Sequence, residues 1–476
     1  MELDPLMLSR LQFAFVIAFH IIFPAFTVGL ASYIAMLEGQ YLARGDERYL
    51  RASKFWLRIF AVSFGMGVVS GIVMPFQLGT NWALFSDKTA NVVGPLLAYE
   101  GLTAFFLEAG FLGVLLFGRD RVPQWAHFGA AVLVAAGTLF SSFWILAFNS
   151  WMQTPAGFTV EAGRFVPTDF VAVIFNPSFP YRLLHTVAAF YVSTGFVVLG
   201  VAAYHLAHGQ HRETANLMAQ MALGFLAIMT PLQIFLGDVH GLNTLQYQPA
   251  KIAAMEGLWE TRAPAPSVLF AIPDQQAQAN RFEVAVPKLA SLYLTHSLDG
   301  KVMGLKAFAR ADQPPVLPVF FAFRIMVGIG VLVLGVAWWG VWLLWRGRLE
   351  TARGYLRVAQ WMLPSGFIAV LAGWTVAEVG RQPWSVYGLL RTADSVSPTL
   401  TGLDVTLSLL FTLIVYAALY AAGAYYLVRL AREGPGDAAT PTPAEGEASA
   451  PAPAARAAGP LSATPSAFEK GDPHGD

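Results

Sequence analysis

Nine stretches of this chain are apolar for about 20 residues or more, the length a helix needs to cross a hydrocarbon core of roughly 30 Å. They lie near 12–37, 55–78, 93–118, 125–150, 182–206, 215–238, 317–345, 355–379 and 403–430. Lipid offers no water to backbone N–H and C=O groups, so runs of this length must close their hydrogen bonds internally as helices. The reading is an all-α integral membrane protein with about nine transmembrane helices. Only 13% of the 476 residues are charged, about half the fraction of an ordinary soluble domain, and mean hydropathy is +0.53. The start, MELDPLMLSRLQF, lacks a basic stretch and a small-residue cleavage site, so the first run reads as a retained span.

Four regions follow. Residues 1–238 carry helices one to six, 239–316 form a long polar loop, 317–432 carry helices seven to nine, and 433–476 form a tail. A connection as long as 239–316 is uncommon without a function. The tail, EGPGDAATPTPAEGEASAPAPAARAAGP and onward, is too poor in large apolar residues to fold and reads as disordered. Basic residues mark orientation. Arg44, Arg48, Arg51 and Lys54 follow helix one, Arg119 and Arg121 helix three, Arg212 helix five, Arg346, Arg348, Arg353 and Arg357 helix seven, with Arg429 and Arg432 ending helix nine. The opposite side holds mainly Arg10, Lys88, Arg164, Arg381 and Arg391. The N-terminus and long loop therefore face outward and the tail faces the cytoplasm. Zero formal net charge gives no reason to expect nucleic acid as a partner.

The absence of cysteine excludes disulfides, iron–sulfur clusters and thiolate metal sites, leaving His, Met and carboxylates as ligands. Ionisable residues within a span are costly and mark function by default. With a rise of 1.5 Å per residue, His20, Glu100, His185 and Met326 fall in the outer half of helices one, three, five and seven, and Glu378 at the outer end of helix eight. Two histidines, a methionine and two carboxylates make a ligand set for haem or another buried redox metal. Glu108 lies eight residues past Glu100, turned by about 80° on a regular helix and about 12 Å deeper, where it could extend a proton route inward. Each has a plainer alternative: a packed histidine, a gap-filling methionine, or an interhelical ion pair of Glu378 with Arg381 or Arg324. His127, His205, His208 and His211 read as interfacial, and His240, His296 and His474 as loop or tail residues.

Eight motifs in order carry a resemblance: SRLQFAFVIAFH (Ser9–His20), FQLGTNWALFS (Phe76–Ser86), YEGLTAFFLEAG (Tyr99–Gly110), LLHTVAAFYV (Leu183–Val192), KIAAMEGLWET (Lys251–Thr261), AIPDQ (Ala271–Gln275), FAFRIMVGIG (Phe321–Gly330) and AGWTVAEVGRQPW (Ala372–Trp384). Together they resemble subunit I of the cytochrome bd quinol oxidases, from about residue 5 to 430. The resemblance implies that His185 and Met326 are axial ligands of haem b558. It implies that His20 and Glu378 each hold one of the high-spin haems b595 and d, in either order, with Glu100 near a second face. Glu108 then belongs to proton supply, Trp374 to contacts between haems, and Arg381 and Arg324 to the polar shell around propionates or buried carboxylates. The long loop resembles the family's quinol-binding Q-loop, here of the short class that includes members described as cyanide-insensitive. Lys251 and Glu256 would contact quinol, Glu256 as base or hydrogen-bond partner and Lys251 supporting its charge.

The function so implied is the haem-bearing subunit of a terminal respiratory oxidase in the bacterial cytoplasmic (inner) membrane. It would oxidise quinol outside and reduce dioxygen to water with cytoplasmic protons, generating protonmotive force without a pump. Its partners would be subunit II, a small single-span subunit, quinol, dioxygen and the bilayer. Two other classes remain open from the residues: a proton-coupled transporter using Glu100, Glu108 and Glu378, which leaves the His/Met pair idle, and a haem b electron-transfer anchor that never meets dioxygen.

Overall fold

Each of the nine apolar runs falls on a largely helical membrane-crossing stretch in the computed structural model, which describes residues 4–436. Among those residues the nine membrane-crossing helices are Pro5–Arg44, Glu47–Thr80, Ala83–Phe117, Gln124–Gln153, Phe179–His208, Arg212–Tyr247, Val316–Trp345, Arg353–Val379 and Gly402–Glu433, called spans 1 to 9 below. Most of the tail, from residue 437, lies outside the described residues. Span 6 continues to Tyr247, so the long loop starts at Gln248 and not at 239. Gly237, Asp238, His240 and Asn243 give residues 237–243 the look of a loop. They stay helical because the bundle satisfies them: Asn243 is buried and donates from Nδ2 to the Pro177 carbonyl at 3.1 Å.

Two spans are irregular where function is expected. Span 1 breaks into Pro5–His20 and Pro24–Arg44, because Pro24 has no N–H to give the His20 carbonyl; Phe23 N donates to it instead, at 3.1 Å. Span 3 changes at Glu100–Phe105 into a π-helical stretch before resuming as Phe106–Phe117.

Spans 5 and 7 each pack along both span 6 and span 8, so that 5–6–7–8 close a four-helix ring. Span 1 lies against spans 2, 4 and 5, the second half of span 3 against span 4, and span 9 against spans 1 and 2. The apolar centre of this packing includes Leu30, Ile34, Trp56, Phe60, Phe196, Leu223 and Leu226.

At the end away from the long loop, a buried polar cluster ties spans 1, 2 and 4 and the turn after span 3. The Glu38 carboxylate accepts from Ser53 and Arg119, and lies 3.2 Å from His127 Nδ1. His127 Nε2 donates to the Leu115 carbonyl at 3.1 Å. His127 is therefore a buried cluster member and not the interfacial residue expected. His205 and His211 donate to carbonyls at the end of span 9, Ala431 at 2.9 Å and Glu433 at 3.1 Å, which caps that helix.

The other end carries β-structure that periodicity had not announced. Antiparallel hairpins Phe158–Glu161/Arg164–Pro167, Ser267–Asp274/Ala279–Val286 and Trp384–Val386/Leu390–Arg391 occupy the connections after spans 4, 6 and 8. The helix Pro249–Glu256 opens the long loop.

Candidate functional site

The kink at Pro24 leaves His20 as the last residue of its helical segment. Its Nδ1 lies 3.0 Å from Ser70 Oγ, whose own hydroxyl hydrogen goes to the Gly67 carbonyl at 3.0 Å. With the serine proton on that carbonyl, the geometry suits the tautomer in which His20 Nδ1 donates to the serine oxygen and the Nε2 lone pair is left for a metal, as a metal-binding histidine held through its other nitrogen requires. On span 2, Gly71 offers the ring its seat: a Cβ there would come within 3.1 Å of His20 Cε1.

The same arrangement recurs twice. His185 on span 5 lies over Gly237 of span 6, and Met326 on span 7 over Gly373 of span 8, with hypothetical Cβ distances of 3.2 Å to Cε1 and 2.9 Å to Sδ. Spans 5 and 7 are diagonal members of the four-helix ring. Diagonal helices are the positions from which two side chains can reach opposite faces of one flat group held in a bundle. Span 6 adds Gln233, whose Nε2 is 3.2 Å from His185 Nδ1, and His240, whose ring centroid is 5.5 Å from that of His185. His240 is thus a helical neighbour of His185 and not a loop residue.

Glu378 ends span 8 in a dense polar cluster. It accepts from Asn149 Nδ2 at 3.0 Å and Gln153 Nε2 at 3.2 Å on span 4, and pairs with Arg381. Arg182 on span 5 donates to Asn149 Oδ1 and, at 3.1 Å, to Ser150 Oγ. Lys251 from the loop helix donates to Gln153 Oε1 at 2.7 Å and the Ala377 carbonyl at 3.0 Å. Burial, reinforced by Arg182, pushes the Lys251 ammonium well below the usual lysine range, with Glu378 opposing and Arg381 adding to the shift. Arg381 pairs with Glu378 directly, Arg182 and Lys251 reach its partners Asn149 and Gln153, and Arg381 Nε and the nearby Trp374 Nε1 are buried without a hydrogen-bond partner. A macrocycle with carboxylates at its rim answers both features, so the residues present fit haem. Trp374 also packs with Ile21, Ala25 and Phe190, which brings span 8 against the kink beside His20.

Glu100 opens the π-helical stretch near the middle of the 35-residue helical span 3. It accepts from Ser141 Oγ of span 4 at 2.8 Å. Glu108 is buried, its Oε1 has no partner, and its Cγ lies 2.6 Å from a Cβ placed on Gly137. Because the π turn takes up one extra residue, eight residues rotate like about seven of a regular helix, near two full turns. Both carboxylates consequently face span 4, correcting the 80° separation expected of an unbroken helix.

Glu256 does not join Lys251. It is 1% exposed and pairs with Arg324 Nη2 at 3.1 Å. Arg324 also donates to the Val268 carbonyl at 2.8 Å and the Met255 carbonyl at 3.1 Å. From span 7, Arg324 therefore pairs with the buried Glu256 carboxylate, while Lys251 joins the Glu378 cluster and does not support the charge of Glu256 as expected.

Sequence reasoning missed Ser70, Asn149, Gln153, Arg182, Gln233 and His240. Arg182 was accessible, three residues from His185 on one helix face. Asn149 lies inside WILAFNSW, where an amide among aromatic side chains has no partner visible in the sequence.

The family model for cytochrome bd terminal oxidase subunit I matches residues 8–435. Cytochrome bd ubiquinol oxidase subunit 1 of Bacillus subtilis (strain 168) is 38% identical over 429 residues, covering 88% of this chain and 91% of its own. Cytochrome bd-II ubiquinol oxidase subunit 1 of Escherichia coli (strain K12) is 34% identical over 502 residues, covering 91% and 97%. The structure of bd oxidase from Geobacillus thermodenitrificans superposes with a TM-score of 0.83 at 30% identity, covering 91% of this chain and 99% of that one.

Proposed function

This chain belongs to the cytochrome bd terminal oxidase subunit I family, and on that premise we propose that it is the haem-bearing subunit of a respiratory quinol oxidase. The observation that carries this is the four-helix ring with His185 and Met326 on its diagonal, set beside the Glu378–Arg381–Arg182 polar cluster. In this reading His185 and Met326 hold haem b558, while His20, through Nε2, and Glu378 hold haems b595 and d, with Glu100 near one of them. When bound, the haems would carry electrons, and a haem held by a single protein ligand would leave an iron face for dioxygen. Arg182, Lys251 and Arg381 receive the propionates, and Trp374 Nε1 supplies a further donor.

Quinol loses two protons as it loses two electrons. Glu256 is the protein's acceptor for one of them, with Arg324 holding the carboxylate in place beneath the loop. Protons for water arrive from the opposite side, along the face of span 3 turned to span 4. Glu108, with a free carboxylate oxygen, passes them towards Glu100 and Ser141. Quinol protons thus leave outside and water protons enter from the cytoplasm, so turnover moves charge without a pump. The chain works with a second large membrane subunit, and with a small single-span subunit, in the bacterial cytoplasmic membrane, with its long loop outside.

The test is a soluble quinol given to the intact complex in sealed vesicles. Oxygen uptake coupled to water formation and to a membrane potential is expected. Electroneutral turnover, or none, would overturn the reading.

A further inference from the structure

The hairpin Ser267–Asp274/Ala279–Val286 is built unlike a water-facing element. Its inner face, Val268 and Ala271, is buried against Phe320 of span 7. Its outer side exposes Leu269, Phe270, Ile272, Phe282, Val284 and Val286 to between 39% and 78%. A bulge lies between the pairs Phe270↔Val284 and Ile272↔Arg281, where Phe282 and Glu283 on one strand stand against Ala271 on the other. Bulges re-aim side chains, and this one holds Phe282 at φ 53° and 78% exposed. A bulky aromatic rarely adopts that region, so the backbone is strained to send a bare ring outward.

We propose that this hairpin is inserted, apolar side first, into the bilayer leaflet on the long loop's side, as a lipid-contacting lip around the Glu256–Arg324 pair. Its level on span 7 carries the argument. That span has 30 residues, about 45 Å at 1.5 Å each, matching a bilayer's roughly 40–45 Å with its head groups. About five residues at each end then lie at head-group depth, which puts Phe320 and Phe321 at the hydrocarbon boundary. Phe270 meets Phe321 there, with ring centroids 6.2 Å apart. The apolar side of the hairpin thereby continues the lipid-facing surface of span 7, where Leu317 and Ile325 are each 47% exposed.

Open strand edges do not survive in hydrocarbon, which fixes how deep the element goes. Arg324 already occupies the Val268 carbonyl on one edge, and the turn end is polar, with Asp274 pairing Arg281 at 2.6 Å. The backbone therefore rides at head-group level while the side chains reach the acyl chains, the disposition of an interfacial amphipathic element. This inference needs only that the chain spans a membrane and is independent of the haem and quinol assignments.

Because the chain has no cysteine, a nitroxide can be placed at one site in this subunit. In the intact complex in phosphatidylethanolamine/phosphatidylglycerol vesicles, labels on Phe282→Cys and Val284→Cys are read by power-saturation EPR. Dissolved oxygen and a water-soluble nickel chelate, present on both sides of the membrane, are the relaxants. The expected result is a higher oxygen-to-nickel accessibility ratio at both sites than at Lys288→Cys, approaching that of Leu317→Cys. A ratio matching Lys288→Cys would mean that the hairpin faces water, and low accessibility to both relaxants would mean that a partner chain covers it; either overturns the proposal. If Phe282→Cys does not assemble, Val284→Cys alone decides between these outcomes.

Discussion

At the scale of single residues, the account depends on small groups that position large ones. Ser70 fixes which nitrogen of His20 is free, so Ser70→Ala should weaken haem holding at that position by about tenfold or more, the usual cost of losing a partner to a metal-binding histidine. The check is the high-spin haem content of the purified complex, with the low-spin signal unchanged. Gly373→Ala sets a methyl 2.9 Å from Met326 Sδ. It should displace the thioether and alter the low-spin spectrum while leaving the high-spin bands in place. Arg324→Ala strands the buried Glu256 carboxylate, for which about 3–5 kcal/mol is the ordinary loss. A lowered thermal midpoint should report it, and the paired change Arg324→Met with Glu256→Leu should recover most of the loss. Ser70 and Gly373, unlike Arg324 and Glu256, are not marked by type in the sequence. A serine or glycine in an apolar run looks like packing until the neighbouring helix is known.

At the scale of elements, the π-helical stretch in span 3 does what no regular helix could. It brings Glu100 and Glu108 onto the side facing span 4, against Ser141 and Gly137. Gly137→Leu should therefore press on Glu108 and slow oxygen uptake while the haem spectra stay unchanged, as measured by turnover and absorbance on one preparation. Hydropathy made the nine spans legible because lipid forces long apolar helices. It could not reveal the π turn, since one extra residue alters rotation without altering composition. It also truncated span 6 at 238, because residues such as His240 and Asn243 look like loop when their partners lie on other helices. The kink at His20 was readable in principle from Pro24, four residues on. The hairpins were not, because short strands after long helices leave little periodicity.

At the scale of the whole molecule, buried polar clusters sit towards both ends of the bundle. The Glu378, His185 and Glu256 groups gather towards the long loop, and the Glu38–Arg119–His127 cluster closes the other end. The intramembrane acids alone would serve a transporter as readily; the His/Met pair on diagonal helices is what separates the readings. The decisive measurement is a dithionite-reduced minus oxidised spectrum of the intact complex, taken for the unaltered protein and for His185→Ala and Met326→Leu. The account predicts b-type bands with a red-shifted chlorin band in the first, and selective loss of the low-spin signal in both variants. A colourless complex, or a low-spin signal that survives both substitutions, would contradict it.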